Sequence, residues 1–330
     1  MSALEQNSLN LNISVIIPAF NVEKQIKSVL VNIPDFVKSI IVVDDASTDG
    51  TTKVVEGINQ PRIHLLEHEC NKGVGGAVKT GYAHAYTLGA DILVKMDGDG
   101  QMDPAYLQTL IAPIIRSEAD YTKGNRFLHL RQLKAMPLIR RIGNLGLSFL
   151  SKLASGYWAV FDPTNGYTAI HRKAYELLDL DALADDFFFE SSMLAQLGRI
   201  QAVVHDVPVP AIYGDETSNL SPLKSLFTFA PRLMINTIKR LIFQYYLYDF
   251  TAVSVYLLVS IPSIIFGFVW GLVKWRQSIL SGVVASTGTV LIAVLPIIIG
   301  IQFLTSAISI DINTSPKTAL QKVSNRPKPL

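Results

Sequence analysis

Ile40-Ile41-Val42-Val43-Asp44-Asp45 is a run of four β-branched residues that ends in two carboxylates. A strand without polar alternation is buried on both faces, as in a parallel sheet covered by helices. Ile13-Ser14-Val15-Ile16-Ile17, Ile63-His64-Leu65-Leu66 and Ile92-Leu93-Val94 have the same character. Helix-like stretches lie among them at 22–32, 50–58, 75–88 and 104–116. Ser47 is the expected N-cap of the second helix, and Pro104 falls near the first turn of the fourth. The alternation over residues 13–206 predicts a doubly wound, mostly parallel α/β sheet.

In such sheets, ligands bind beyond the carboxyl ends of the strands. Asp44-Asp45 end the second run directly, and Asp97 and Asp99 follow the fourth. Aspartate also favours turns for its own sake, but two clusters at strand ends converge on one rim. Asp97-Gly98-Asp99-Gly100-Gln101 places carboxylates at i and i+2 with glycines that leave them free to turn toward one hard cation. Gln101 adds a neutral oxygen, and a diphosphate with water would complete an octahedral shell. Asp97, Asp99 and Gln101 are therefore the expected ligands of a Mg²⁺ or Mn²⁺ ion. A calcium loop of the EF-hand type is excluded, because its twelfth position is Gln108 and not glutamate.

The 330 residues suffice for one α/β domain of about 200 residues and something smaller. Hydrophobic residues make up 49% and charged residues 17%, and the apolar excess is concentrated. No charge occurs from Phe250 to Val273 or from Gln277 to Ile310, each longer than the roughly 20 residues that cross a hydrocarbon core. Lys224, Arg232, Lys239 and Arg240 precede the first run, and Lys317, Lys322, Arg326 and Lys328 follow the second. Only Lys274 and Arg276 are expected in the turn between them, so positive-inside bias places both termini in the cytoplasm. A net charge of +2 does not point to nucleic acid. Cys70 is alone, which fits a reducing compartment, and the polar N-terminal residues 1–12 lack a signal peptide's apolar stretch.

Several motifs together resemble a known family. Ser14-Val15-Ile16-Ile17-Pro18-Ala19-Phe20-Asn21, Val42-Val43-Asp44-Asp45-Ala46-Ser47-Thr48-Asp49-Gly50-Thr51, Asn71-Lys72-Gly73 and Asp97-Gly98-Asp99 are similar to the family 2 glycosyltransferases of the GT-A fold. Gln101, Gly124-Asn125-Arg126-Phe127 and Asp162-Pro163-Thr164-Asn165-Gly166-Tyr167 resemble the polyprenyl-phosphate branch, and a C-terminal two-span hairpin resembles its bacterial undecaprenyl-phosphate glucosyltransferases. The resemblance spans roughly residues 13–220. It implies that Pro18, Phe20, Glu23, Asp44 and Asp45 line a nucleoside pocket, with Asp97 and Gly98 on the ribose and diphosphate side. Asp99 and Gln101 would ligate the metal. Arg126 and Arg140 would hold the acceptor phosphate, a role that suits a guanidinium's planar fork. Asp162 is the implied catalytic carboxylate and Glu190 a second candidate. Equally, Asp162 before Pro163 is what a turn selects, Glu190 what a helix start selects, and Arg140 beside Arg141 what a solvated face carries. Asn125 stands where serine is commoner and Asn219 where lysine is, so a phosphate contact is in doubt at Asn219.

The implied reaction is inverting transfer of one hexose, glucose from UDP-glucose, to polyprenyl phosphate. Its partners are a nucleotide-sugar, the lipid, the membrane and further copies of the chain in a homo-oligomer. Mannosyl or aminosugar transfer to the same lipid, processive polymer synthesis and silent nucleotide-sugar binding are the alternatives. Lys72-Gly73-Val74-Gly75-Gly76 lacks the Gly-Lys-Ser/Thr ending of a P-loop and reads as a backbone turn into a helix near the nucleotide. Gln196-Leu197-Gly198-Arg199-Ile200 lacks the tryptophan of the processive synthases' QxxRW motif. Leu223, Leu226, Phe227, Ala230, Leu233, Met234, Ile238, Leu241 and Ile242 recur at helical spacing, with Lys224, Arg232 and Lys239 on one side. This is either an interfacial helix or a helix packed on the enzyme's own core. The expected organisation is a GT-A domain over 1–220, an amphipathic helix over 221–248, a membrane hairpin over 249–310 and a basic cytoplasmic tail over 311–330. The protein is thereby expected in a bacterial inner membrane.

Overall fold

The computed structural model describes residues 11–125, 138–162, 165–210 and 222–323. Strands β1 (Ile13–Ala19), β2 (Ser39–Asp44), β3 (Ile63–Glu67) and β4 (Ile92–Lys95) form where the apolar runs predict them. Three more strands join them: β5 (Tyr121–Asn125), β6 (Thr168–His171) and β7 (Val204–Pro208). The sheet order is β3-β2-β1-β4-β6-β5-β7. Pairs β1–β2, β2–β3, β1–β4 and β5–β7 are parallel, whereas β6 runs antiparallel to both β4 and β5. Every strand except β6 therefore points the same way. The carboxyl ends of β1, β2, β4 and β5 share one rim.

Helices cover both faces, as continuous apolar strands require. Ile16, Ile41, Val43 and Leu93 pack with Ala77, Val78 and Tyr82 of α3 (Gly73–Thr87) and with Met193 and Leu197 of α7 (Phe189–Arg199). On the other face, Val15, Ile17, Val42 and Val94 pack with Ile26 and Leu30 of α1 (Glu23–Val31) and Leu110 and Ile114 of α4 (Leu107–Ile115). Between these helices lies α2 (Thr51–Glu56). The expected cap at Ser47 is not made. Ser47 Oγ instead accepts from Asn21 N at 2.9 Å, and Asp49 Oδ1 accepts Thr51 N at 3.0 Å where α2 begins. Pro104 opens a 3₁₀ turn, Pro104–Tyr106, capped by Asp103 through Ala105 N at 2.9 Å.

Further along come α5 (Leu138–Ser155), α6 (Arg172–Leu177) and α8 (Pro222–Ile242). Phe229 and Leu233 of α8 are buried against Ala154 of α5 and Phe188. Met234, Ile235 and Ile238 stay exposed, so α8 has one face on the α/β unit and another uncovered. Arg232 is not a free basic residue: its Nη1 lies 2.7 Å from Asp186 Oδ2.

The chain divides into two compact units, Met1–Ile238 with Pro316–Leu330, and Lys239–Ser315. In the first, the C-terminal residues return to the α/β core. Leu320 is buried there, its N–H donates to Asp120 Oδ2 at 3.0 Å, and Gln321 Nε2 donates to the carbonyls of Ile114 and Ala119, both at 3.0 Å.

The second unit holds α9 (Ala252–Ser281) and α10 (Thr287–Asn313), both long and apolar enough to cross a membrane. Only 28% and 17% of their most apolar windows is buried, whereas a soluble protein's core helix is mostly buried. Lys274 and Arg276 lie within the last turns of α9 and not in the connecting turn, with Lys274 Nζ 5.0 Å from the centre of the Trp270 ring. At the base of this unit Arg240 makes a two-pronged pair with Asp311, both bonds 2.9 Å, and the Tyr245 hydroxyl donates to the same carboxylate.

Candidate active site

The parallel register sets the rim. Ala19 of β1 pairs with Asp44 of β2, and Ile16 of β1 with Lys95 of β4, which carries Asp97 up beside Pro18. The loops after β1 and β2 are laced together. Thr48 N donates to Asn21 Oδ1 at 2.8 Å, Val22 N to Thr51 Oγ1 at 2.9 Å, and Glu23 N to Asp49 Oδ2 at 3.1 Å. Asn21 and Ala46 take φ of 55° and 61°, a left-handed backbone that this lacing holds in place.

These contacts separate the acidic residues by task. Asp45 is buried and saturated: Oδ1 accepts from Lys72 N at 2.8 Å and pairs with His68 Nδ1 at 2.7 Å, and Oδ2 accepts from Gly73 N at 2.8 Å. It anchors the start of α3. Glu23 is exposed, and its Oε2 accepts from Gly50 N at 3.1 Å. Asp49 is held below the usual carboxylate range, bonds to Thr51 and Glu23 outweighing its slight burial. Asp44 differs. It is 3% exposed, Oδ2 accepts from Ser47 N at 3.1 Å, and Oδ1 has no hydrogen-bond partner among the described residues. A buried acceptor without a donor is costly and suits a ligand hydroxyl or N–H. Phe20, which follows the Ala19 that pairs with Asp44, has 49% of its surface exposed.

After β4, Asp97 N donates to Met102 Sδ at 3.2 Å, and Asp99 Oδ1 accepts from Gln101 N at 3.0 Å, an Asx-type turn. Gly100 has φ 78°, which a side chain would strain. Gly98 lies close under β1, its direction of substitution 3.3 Å from the Pro18 carbonyl oxygen. Among the described residues no three His, Cys, Asp or Glu side chains gather as a metal cage. A single loop offering hard oxygens from Asp97, Asp99 and Gln101 fits a cation of the Mg²⁺ type, which keeps its waters and takes further oxygens from phosphate.

Sequence reasoning named Glu190 and Asp162 but missed the buried lysines that accompany them near this loop. Lys95 is 1% exposed, with Nζ 2.7 Å from Asp97 Oδ1 and 2.9 Å from Glu190 Oε1. Burial opposes its charge, but the two carboxylates outweigh that effect and raise its pKa. Lys123, fully buried on β5, donates to the Asn165 carbonyl, and burial lowers its pKa to about 8. Asp162 is fully buried, and its charge favours the charged form of Lys123. Burial raises the pKa of Asp206, whose Oδ2 accepts from Asn125 Nδ2 at 2.9 Å and Phe161 N at 2.8 Å. Asn125 is thus pinned at the carboxyl end of β5, immediately before Arg126. Arg126 lies outside the described residues, as does the side chain of Arg140 on α5. The one available signal for Lys95 was a lysine ending an otherwise apolar strand.

The Lys72–Gly76 turn is not a phosphate cradle. Gly73 N is taken by Asp45, and Gly75 N and Gly76 N donate to the Asp185 carbonyl at 2.7 and 3.2 Å.

With this geometry in view, comparison with known proteins assigns the family. Residues 14–178 match the model of Glycosyl transferase family 2. The chain is 37% identical over 216 residues to the UDP-N-acetylglucosamine–dolichyl-phosphate N-acetylglucosaminyltransferase of Methanococcus voltae, covering 61% of this chain and 86% of that protein. It is 28% identical over 207 residues to the undecaprenyl-phosphate mannosyltransferase of Micrococcus luteus, covering 60% and 83%. Glucosyl-3-phosphoglycerate synthase from Mycobacterium tuberculosis, crystallised with Mn²⁺, UDP-glucose and phosphoglyceric acid, superposes with a TM-score of 0.52 at 22% identity over 72% of this chain and 82% of that one. That likeness concerns the fold alone. The chain belongs to glycosyl transferase family 2, with the GT-A fold, and is a glycosyltransferase.

Proposed function

We propose that this enzyme transfers a single sugar from a nucleotide-sugar to the phosphate of a polyprenyl lipid at a membrane surface. The observation that carries the reading is the convergence on one rim of Phe20, an Asp44 Oδ1 with no partner among the described residues, and the Asp97–Gln101 loop. Phe20 with Pro18 would bound the base, and Asp44 would accept from the nucleoside. Asp45 and Glu23 act by holding the pocket walls. Asp99 and Gln101, with Asp97, would hold Mg²⁺ or Mn²⁺. When bound, that cation would neutralise charge on the departing diphosphate.

In the transfer, an acceptor phosphate oxygen bonds to the anomeric carbon as the carbon–oxygen bond to the nucleoside diphosphate breaks, inverting that centre. A phosphate monoester is already ionised near neutral pH, so no strong base is needed and positioning supplies the rate. Arg126 and Arg140 would grip the acceptor phosphate, Arg126 following directly on the anchored Asn125. Asp162 would act by fixing Lys123 and the Asn165 turn.

Glucose from UDP-glucose is the sugar that the sequence resemblance favours. UDP-N-acetylglucosamine is the second reading, supported by the name of the Methanococcus voltae relative. The proposed organisation is a catalytic domain over 1–220, a partly interfacial helix over 221–248, a membrane hairpin over 249–310 and a tail over 311–330. The lysines and arginines flanking the hairpin support both termini lying in the cytoplasm.

The test is incubation of the purified protein with radiolabelled UDP-glucose, UDP-N-acetylglucosamine and GDP-mannose in liposomes containing polyprenyl phosphate. A chelator-sensitive lipid-linked monosaccharide is expected. Polymer would mean a processive synthase, and no product with any donor would mean a binding protein.

A further inference from the structure

Lys95 is the last residue of β4, two positions before Asp97, and it is 1% exposed. Lysine is almost never fully buried without partners. Its ammonium lies 2.7 Å from Asp97 Oδ1 and 2.9 Å from Glu190 Oε1. Glu190 comes from the first turn of α7, 95 residues away, where the helix N-terminus favours its negative charge. The pair is also walled in. A Cβ on Gly166 would stand 2.7 Å from Asp97 Oδ2 and nearer still to Lys95 Nζ, so the ammonium cannot swing away on that side.

We propose that Lys95 is the built-in counter-cation of Asp97, and that this pairing makes the divalent cation bind only together with the nucleoside diphosphate. This rests on the metal-dependent reading of the rim. A free cation approaching Asp97 meets a fixed positive charge already on that carboxylate. Asp99 then supplies the main negative charge of the loop, with Gln101 neutral beside it. The diphosphate brings the anionic oxygens that the loop lacks, so cation and nucleotide assist one another reciprocally. Lys95 is a positioning residue in this scheme: it acts through Asp97 and touches neither substrate nor metal. The arrangement keeps the empty enzyme from trapping a metal ion and couples metal occupancy to the donor.

The experiment measures Mn²⁺ binding to the full-length detergent-solubilised protein by electron paramagnetic resonance, with no nucleotide, with UDP and with GDP. The native enzyme is expected to bind Mn²⁺ at least about tenfold more tightly with its nucleotide than without. Lys95→Met/Glu190→Gln removes the ammonium without leaving an unpaired buried carboxylate on α7. It is expected to bind Mn²⁺ without nucleotide about tenfold more tightly than Glu190→Gln alone, shrinking the nucleotide effect. A merely structural lysine would change melting temperature and leave this affinity ratio unmoved. Equal affinities in the double and single variants would overturn the proposal. So would native protein that binds Mn²⁺ equally with and without nucleotide, a result independent of any variant's folding. No Mn²⁺ binding under any condition would instead remove the metal reading of the rim, and this inference with it.

Discussion

Gly75→Ala distinguishes a packing role from a phosphate-binding role for the Lys72–Gly76 turn. An added Cβ would lie 2.9 Å from the Asp185 carbonyl carbon and nearer still to the Ala184 carbonyl oxygen. Both obstacles are backbone, so no side-chain rotation relieves them. Residues 183–188 would have to withdraw, loosening the bonds from Gly75 N and Gly76 N to Asp185 and the 2.5 Å pair between Lys79 and Asp185. Overpacking costs about 1–3 kcal/mol and each lost buried hydrogen bond about 1 kcal/mol more. The sum, roughly 2–5 kcal/mol, would lower the melting temperature of a domain this size by about 5–15 °C. Thermal unfolding of the solubilised protein measures the loss, and donor saturation kinetics at low temperature measure the site. An unchanged melting temperature with a raised donor KM would refute the reasoning, because the turn would then be touching diphosphate.

Arg240→Met should destabilise the second unit by about 3–5 kcal/mol, since it leaves Asp311 buried without its cation, and Arg240→Met/Asp311→Leu should recover most of that in a detergent melting assay. Lys123, lowered to about 8 in the fold against 10.5 when unfolded, is neutral in the fold and protonated in the unfolded chain between those values. Stability should therefore rise by up to about 3 kcal/mol as pH climbs through that window, staying flat for this group below it, and Lys123→Met should abolish the rise in denaturant titrations. Asp120→Ala removes the acceptor shared by Val203 N and Leu320 N, so hydrogen exchange at Leu320 and Gln321 should quicken sharply while the sheet amides stay protected.

The strands β1, β2 and β4 were legible because near-continuous apolar runs report burial on both faces without needing to know a partner, and the apolar run of β3 was legible although that strand sits at the sheet edge and is only partly buried. The acidic rim was legible for a related reason: Asp44, Asp45, Asp97 and Asp99 each follow such a run, and parallel register brings strand ends together. β5 was hidden. Its residues, Tyr121-Thr122-Lys123-Gly124-Asn125, are all buried yet largely polar, because Lys123 and Asn125 find their partners in the distant Asn165 and Asp206. The antiparallel β6 was hidden too, since Thr168-Ala169-Ile170-His171 mixes polar and small residues around a single large apolar one.

By itself the sequence determined that the chain alternates strand and helix, that a metal-suited Asp-Gly-Asp-Gly-Gln loop follows the fourth strand, and that two long charge-free segments come last. Only the tertiary structure decided which carboxylates are committed. Asp45 is consumed by His68 and the start of α3, Asp97 is paired with Lys95, and Asp44 keeps an oxygen without a partner among the described residues. Local pattern records which face of an element avoids water. It holds no record of which distant donor meets a carboxylate, and Lys95 with Glu190, Asp120 with Leu320 and Arg240 with Asp311 are all joined across long stretches of chain by the fold alone.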